Sequence, residues 1–406
     1  MRISTSTMFE TGTNQLGTLQ AQLSRTQQQL ATNRRMLTPA DDPIASARAL
    51  EVSQAQSVNT QFATNRQNAR STLSLEDAAL AGVTALLQDA QALTITGGNG
   101  AYSASDRATI ANELSGRLED LMGLANSTDG TGGYLFGGFR SASPPFIRDA
   151  SGTSYVGDQG QRQVQIGSAR QIAMSDAGSA VFESNLTGNG TFVTAAAANN
   201  TGSAEVSPGA VTDTAQLTRE NYTLTFAVAA GVTTFTITDS QNVTVPPPPA
   251  LAARPYVSGE AIAFSGMTFD ISGAPADGDI VTVGPSTKQS VFETIDKLIE
   301  TLRAPAVDLP GKAKLRAGLA DANNNLKSAL DSVLTAHASV GTRMKELDYL
   351  DSTGEDLNIQ YAATLSNLQD LDMVKAISLF TQQQFSLEAA QKSFKSLTGL
   401  SLFNYL

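Results

Sequence analysis

The chain has 406 residues, 27 basic against 38 acidic side chains, and a formal net charge of −11; it carries no cysteine, no tryptophan and a single histidine, His337. Disulfides, thiol nucleophiles, cysteine zinc sites and an H-E-x-x-H metalloprotease are therefore excluded, and the acidic balance speaks against general nucleic-acid binding. No run of about 18 consecutive apolar residues occurs, so no helix is expected to span a membrane.

Charged residues make up 16% of the chain, against about 25% in ordinary soluble domains. Such a surface is either simply polar or suited to packing against copies of itself. The N-terminal residues enter an amphipathic pattern with no apolar signal core. The chain is thus expected to stay in the cytoplasm or to leave without signal cleavage.

The first predicted element carries a seven-residue stripe, Phe9, Leu16, Leu23, Leu30 and Leu37, with Gly12, Leu19, Thr26 and Asn33 at the companion positions. Sustained heptads point to a helix that pairs with another helix. The stripe is thin, and burying it recovers too little to offset the ordering of some thirty residues. Pro39-Ala40-Asp41-Asp42-Pro43 then ends that helix and starts the next, with Asp42 as N-cap and Pro43 at the first helical position. Ala47, Leu50, Gln54, Val58, Phe62, Ala69 and Leu73 continue at helical spacing until Gly97-Gly98-Asn99-Gly100. Ser105 or Asp106 opens a further helix carrying Ile110, Leu114, Leu118, Leu121 and Leu124.

Strand signals follow. Tyr134-Leu135-Phe136 is bounded by glycines, and Phe146 to Ile166 reads as a short hairpin region turning at Asp149-Ala150-Ser151-Gly152. From about 185 to 286 strand formers alternate with turn formers, notably over 222–228, 234–238, 262–271 and 279–283. This predicts an all-β insert, a small sandwich or partial barrel, with Pro246–Pro249 as a stiff loop. Helix returns at Val291 with Phe292, Ile295, Leu298, Ile299 and Leu302 on one face, is broken at Pro305 and Pro310, and resumes through Leu315, Leu326, Val333, Val340 and Leu347. The last helix mirrors the first: Met373, Phe380, Leu387 and Phe394 form its stripe, with Ala376, Gln383, Ala390 and Leu397 three residues on.

The expected fold class is α+β: an elongated rod of antiparallel or coiled-coil N- and C-terminal helices with a β-hairpin and an inserted all-β domain. Residues 1–40 and 361–406 are terminal assembly helices, disordered in the monomer. Residues 41–184 and 287–360 form the helical rod, and 185–286 the insert. Phe9, Leu16, Leu23, Leu30, Leu37, Met373, Phe380, Leu387, Phe394 and Leu397 are the candidate assembly interface.

No constellation supports catalysis. The glycines at 130–138 lack the Lys-Ser/Thr of a phosphate loop. Asp277-Gly278-Asp279 suits a β-turn better than a calcium site. Asp370 and Asp372, two apart, point different ways on a helix and suit helix ends better than acid–base work. His337 fits a helix interface, with no nucleophile elbow to serve. No cofactor or metal is expected.

Several stretches together carry a family resemblance. They are Arg2-Ile3-Ser4-Thr5, Asp41-Asp42-Pro43, Tyr134-Leu135-Phe136-Gly137-Gly138, Gly273–Asp279, Val340-Gly341-Thr342-Arg343, Leu365–Asp372, Leu387–Phe394 and the closing Leu400–Leu406. In these the chain resembles the flagellar hook-associated protein 3 family, flagellin-like proteins of the hook–filament junction. The resemblance implies a ring of subunits in the bacterial flagellum, between the first hook-associated protein and flagellin. It also implies type III export without signal cleavage and an export chaperone bound near Leu387, Phe394, Leu402 and Phe403. Neither nucleic acid nor membrane is an implied partner. Flagellin itself is the alternative, though Pro43 and the closing Leu402–Leu406 are unlike it; a secreted adhesin using the insert is a more distant one.

Overall fold

In a computed structural model the described residues are 5–150, 152–245 and 253–399. Arg2-Ile3-Ser4, Pro246–Pro249 and Leu400–Leu406, Leu402 and Phe403 included, lie outside them. Helix α1 spans Thr5–Thr32, α2 Pro43–Gly97 and α3 Ala104–Ala125. Two hairpins follow, β1 (Phe146–Asp149) with β2 (Gly152–Tyr155), and β3 (Gln163–Gly167) with β4 (Arg170–Ala173), then a short helix α4 (Gly178–Phe182). The insert runs through β5 (Asn185–Leu186), β6 (Phe192–Ala196), β7 (Glu205–Val206), β8 (Ala210–Val211), β9 (Tyr222–Ala229) and β10 (Val232–Thr238). It continues through β11 (Arg254–Pro255), β12 (Ala261–Phe264), β13 (Met267–Ser272), β14 (Ile280–Pro285) and β15 (Lys288–Gln289). Helices α5 (Val291–Arg303), α6 (Leu309–Gln369) and α7 (Met373–Gly399) close the chain.

The chain divides into two compact units, one of residues 1–65 and 348–406, the other of residues 66–347. In the larger unit the helices bury Leu73, Leu80, Val83 and Leu87 of α2, Leu114, Leu118 and Leu121 of α3, Ile295 and Leu298 of α5 and Leu326 and Val333 of α6. Phe136, Phe146, Phe182 and Phe292 bury a connected set of rings beside them, with centroids 5.0–6.0 Å apart. By length and composition α2 would pass as a membrane-crossing helix, but Leu73, Leu80, Val83 and Leu87 of it are buried in this core. The third helix opens at Ala104, one residue before the earlier of the two predicted starts. Ser103 accepts from the Asp106 N–H while Asp106 accepts from the Ser103 N–H, a reciprocal capping box.

The insert is a two-sheet sandwich. One sheet has the order β11-β10-β9-β14-β6, the other β12-β13-β7 with β8 on β13. Alternate residues face inward, as the two-residue strand period requires. Leu224, Phe226, Ile237, Phe269, Ile271, Val281 and Val283 meet in one apolar cluster. Both ends of the insert return to one place, where Lys288 pairs with Leu186 and Gln289 with Asn185. Asp277-Gly278-Asp279 is a turn: Gly278 has φ +79°, and the buried Asp279 carboxylate accepts the N–H groups of Thr201, Gly202 and Ala276 at 2.9–3.0 Å.

Three expectations need correction. The region from 146 to 166 does not form one hairpin. Asp149 pairs with Gly152 across the predicted turn, but Ile166 belongs to a second hairpin closed by Gly167 and Arg170. The heptad stripe does not carry α1 to Leu37; Asn33, at φ +53°, ends the helix. And the face of α2 around Leu50 and Val58 is open, 70% and 42% exposed, while Ala45, Ala49 and Asn59 are buried.

Candidate assembly surface

Within the smaller unit α1 and α7 run antiparallel. The direction is fixed at the base by an antiparallel bridge between Arg34 and Asp370, and at the far end by Phe9 against Phe394, the two rings tilted with centroids 5.2 Å apart. Between them the less exposed side of α1 presents Gly12, Leu16, Leu19, Leu23, Thr26 and Leu30, and that of α7 presents Ala376, Phe380, Gln383, Leu387, Ala390 and Phe394. Both sets alternate steps of four and three, the signature of a coiled-coil seam. Thr26 and Ala376 are buried, 3% and 5% exposed. Gly12 lets the helices close over the aromatic pair, since a Cβ there would lie 2.7 Å from the Phe394 ring.

The turn at the base explains why the seam stops where it does. Residues 33–42 lack helix, and their backbone groups are satisfied partly by side chains and partly by backbone outside a helix. The Asp41 carboxylate accepts the N–H groups of Leu37 and Thr38 at 2.9 and 3.0 Å and pairs with Arg25 at 2.7 Å. The backbone N–H groups of Thr38 and Leu37 hold its pKa below the usual carboxylate value. Asp42 caps α2 by accepting the Ala45 N–H at 3.0 Å, with Pro43 next in line. Arg35 donates its N–H to Gln369 O at 2.8 Å and its guanidinium to Leu368 O at 3.0 Å. Asp372 caps α7 by accepting the Lys375 N–H at 3.1 Å, the contact that most lowers its pKa. Asp370 accepts the Ser366 hydroxyl at 2.5 Å. Both aspartates thus serve helix ends.

The candidate interface residues do not all meet in one place. Leu16, Leu23, Leu30, Phe380, Leu387 and Phe394 are brought together in the seam. Phe9 caps it while remaining 53% exposed, and Met373, 41% exposed, stands outside it at the start of α7. Leu37 leaves the helix and lines an open hollow of about 750 Å³ with Met36, Pro39, Pro43, Leu50 and Leu365. Leu397 lies within the span of α7, but its side chain is outside the described residues, as are Leu402 and Phe403.

A second set escaped the heptad reading. Val374, Ile377 and Phe385 are 80%, 53% and 73% exposed. Their spacing of three and eleven places them on one face of α7, turned away from the seam. The signal was present at helical rather than heptad spacing. Among the described residues no group of three or more His, Cys, Asp or Glu side chains could hold a metal ion. His337, in the larger unit, joins two helices through Nε2 to Asp77 Oδ1 at 2.8 Å. What the surface around α1 and α7 can do chemically is bury apolar area.

Comparison with known proteins bears on what that surface serves. The family described as the bacterial flagellin N-terminal helical region matches residues 3–141. Flagellar hook-associated protein 3 of Salmonella typhimurium is 30% identical over 404 residues, 99% of each chain. Its namesake in Escherichia coli is 28% identical over the same span. The crystal structure of flagellar hook-associated protein 3 from Legionella pneumophila superposes with a TM-score of 0.75 at 32% identity, covering 78% of this chain and 98% of that one. The Xanthomonas campestris FlgL structure gives 0.71 at 30% identity, covering 78% and 99%.

Proposed function

Because the chain belongs to the flagellar hook-associated protein 3 family, we propose that copies of it form the short adaptor ring seated between the first hook-associated protein and flagellin. The protein is a structural component of the bacterial flagellum at the hook–filament junction, not the filament subunit. The observation that carries the ring is the outer face of α7. Val374, Ile377 and Phe385 stay exposed after α1 and α7 have paired, and an apolar face of this kind gains stability only when another subunit covers it. The chain works mechanically and catalyses nothing. It leaves the cell through the flagellar export channel without signal cleavage, escorted by an export chaperone that holds the C-terminal region around Leu387, Phe394, Leu402 and Phe403. The thin seam supports this, since a helix pair of marginal stability threads a narrow channel at low cost.

Immunogold electron microscopy of intact cells, with antibody against residues 185–286, tests the placement. Label is expected in one band where hook meets filament. Label along the whole filament would make the chain a filament subunit, and label on the cell body alone would move it to adhesion.

A further inference from the structure

Among the described residues of the larger unit, one buried carboxyl group stands out for its lack of accommodation. Glu76 of α2 is 0% exposed. Its Oε1 accepts the Asp176 N–H at 3.0 Å, and its Oε2 has no partner. Asp176 stands just beyond β4, its side chain 13% exposed and ion-paired to Arg343 of α6, itself 12% exposed. The other Asp176 oxygen accepts Gln161 Nε2 at 2.9 Å, and Arg343 also donates to Ala173 O at 3.2 Å. The neighbouring Ser175 hydroxyl is buried without a partner. The surrounding charges are engaged elsewhere: Asp77 of α2 with His337 of α6 at 2.8 Å, and Arg170 of β4 with Glu346 of α6. Two carboxyl groups therefore face one guanidinium, with Glu76 fully buried and Asp176 and Arg343 nearly so. One cation balances one carboxylate, and a second buried negative charge has no compensation.

We propose that a proton held between Glu76 and Asp176 clasps the β3–β4 hairpin to helices α2 and α6, and that loss of this proton in alkaline solution releases the hairpin. The protonated Glu76 carboxyl donates its free O–H to the Asp176 carboxylate, which in turn holds Arg343, so three segments meet at one shared proton. Burial first, then the Asp176 charge, pushes Glu76 up to about 8, with Arg343 opposing. The sign follows from linkage. Between the ordinary carboxyl value and about 8 the folded site keeps a proton that the opened site gives up, so stability falls as pH rises through that window and levels off above it. Elsewhere the hairpin is held by Arg66, which donates to Ile166 O at 3.1 Å, and by the buried Ile166 and Ile172, while the polar anchors of residues 170–176 on the helices are Arg343, Glu346 and Glu76.

Amide exchange over residues 163–177 of the full chain, corrected for intrinsic chemistry and followed across this pH range, tests the clasp. In the wild type the opening constant should rise about tenfold per pH unit below the plateau, one proton being released on opening. Glu76→Gln keeps the shape and a donor but cannot titrate, so its profile should be flat. Asp176→Asn removes the like charge and should start the plateau at lower pH. A flat wild-type profile, or one shared by wild type and Glu76→Gln, overturns the proposal. Should either variant fail to fold, infrared spectroscopy of the wild type decides: a protonated-carboxyl C=O band at neutral pH, lost on raising the pH, is expected. Absence of the band overturns the clasp.

Discussion

Gly12 and Phe394 show how much one missing side chain can settle. Glycine within a helix costs roughly 1 kcal/mol relative to alanine, so α1 gives up intrinsic stability at this position. In return the Phe394 ring fits against its backbone, where a Cβ would come within 2.7 Å. Gly12→Leu should therefore loosen the α1–α7 pair by about 1–3 kcal/mol through overpacking. With Phe394→Ala in place the same change should become stabilising, because helix propensity gains and nothing obstructs it. Amide-exchange protection of α1 across the four variants measures the coupling, and additive effects would mean that the two positions do not meet. Other residues differ in how readily the sequence showed their role. Asp42 before Pro43 was legible as a cap because the signal is local. Asp41 was not: its partners Leu37, Thr38 and Arg25 come together only once the chain has turned. Glu76 looked like any helical glutamate, since nothing local reveals that it is shut away from water.

At the scale of elements, legibility followed the kind of residue that lines each interface. The α5 face, carried by Phe292, Ile295, Leu298, Ile299 and Leu302, reads directly. On α2 the apolar residues Leu50 and Val58 drew attention to an open side, while the buried side holds alanines and Asn59. Asn59 donates to Gly354 O at 2.8 Å and Asn358 Oδ1 at 2.9 Å, so a hydrogen bond rather than bulk marks that seam. Hydropathy counts volume and misses it. The β3–β4 hairpin was missed for a related reason. Gln163-Val164-Gln165-Ile166 is short, and its turn lacks the Asn-Gly type of signal. The insert was legible as strands, and the pairing of β5 with β15 shows why it can be separate. Its contacts with α6 include Arg316 to Glu205 at 2.7 Å, Lys314 to Ala198 O at 2.8 Å and Gly188 N–H to Asn325 at 3.1 Å. Each is polar and individually weak. Replacing residues 187–287 by a short link should leave a soluble helical protein whose Tm shifts by less than about 5 °C. Aggregation on heating, or loss of helical circular dichroism, would show that the sandwich supports the helices.

For the whole molecule the decisive contrast lies two residues apart. Leu387 faces the α1–α7 seam and is half-buried, whereas Phe385 points away and is 73% exposed. The heptad stripe, a candidate assembly interface, joins α1 to α7 within one chain. Leu387→Asp places a carboxylate in that apolar seam and should unpair the two helices before any neighbour arrives. Phe385→Asp leaves the seam intact and removes apolar area that only a neighbour could cover. In the isolated chain the amides of α1 and α7 should exchange faster than those of α2 and α6, because a single narrow seam orders more than fifty residues. Phe385→Asp should keep that monomer profile and its thermal unfolding but fail to incorporate into the junction. Leu387→Asp should lose the residual α1 and α7 protection as well. Equal protection of all four helices in the wild-type monomer would show that the pair is stable alone. Normal incorporation of Phe385→Asp would show that this face of α7 does not meet another subunit.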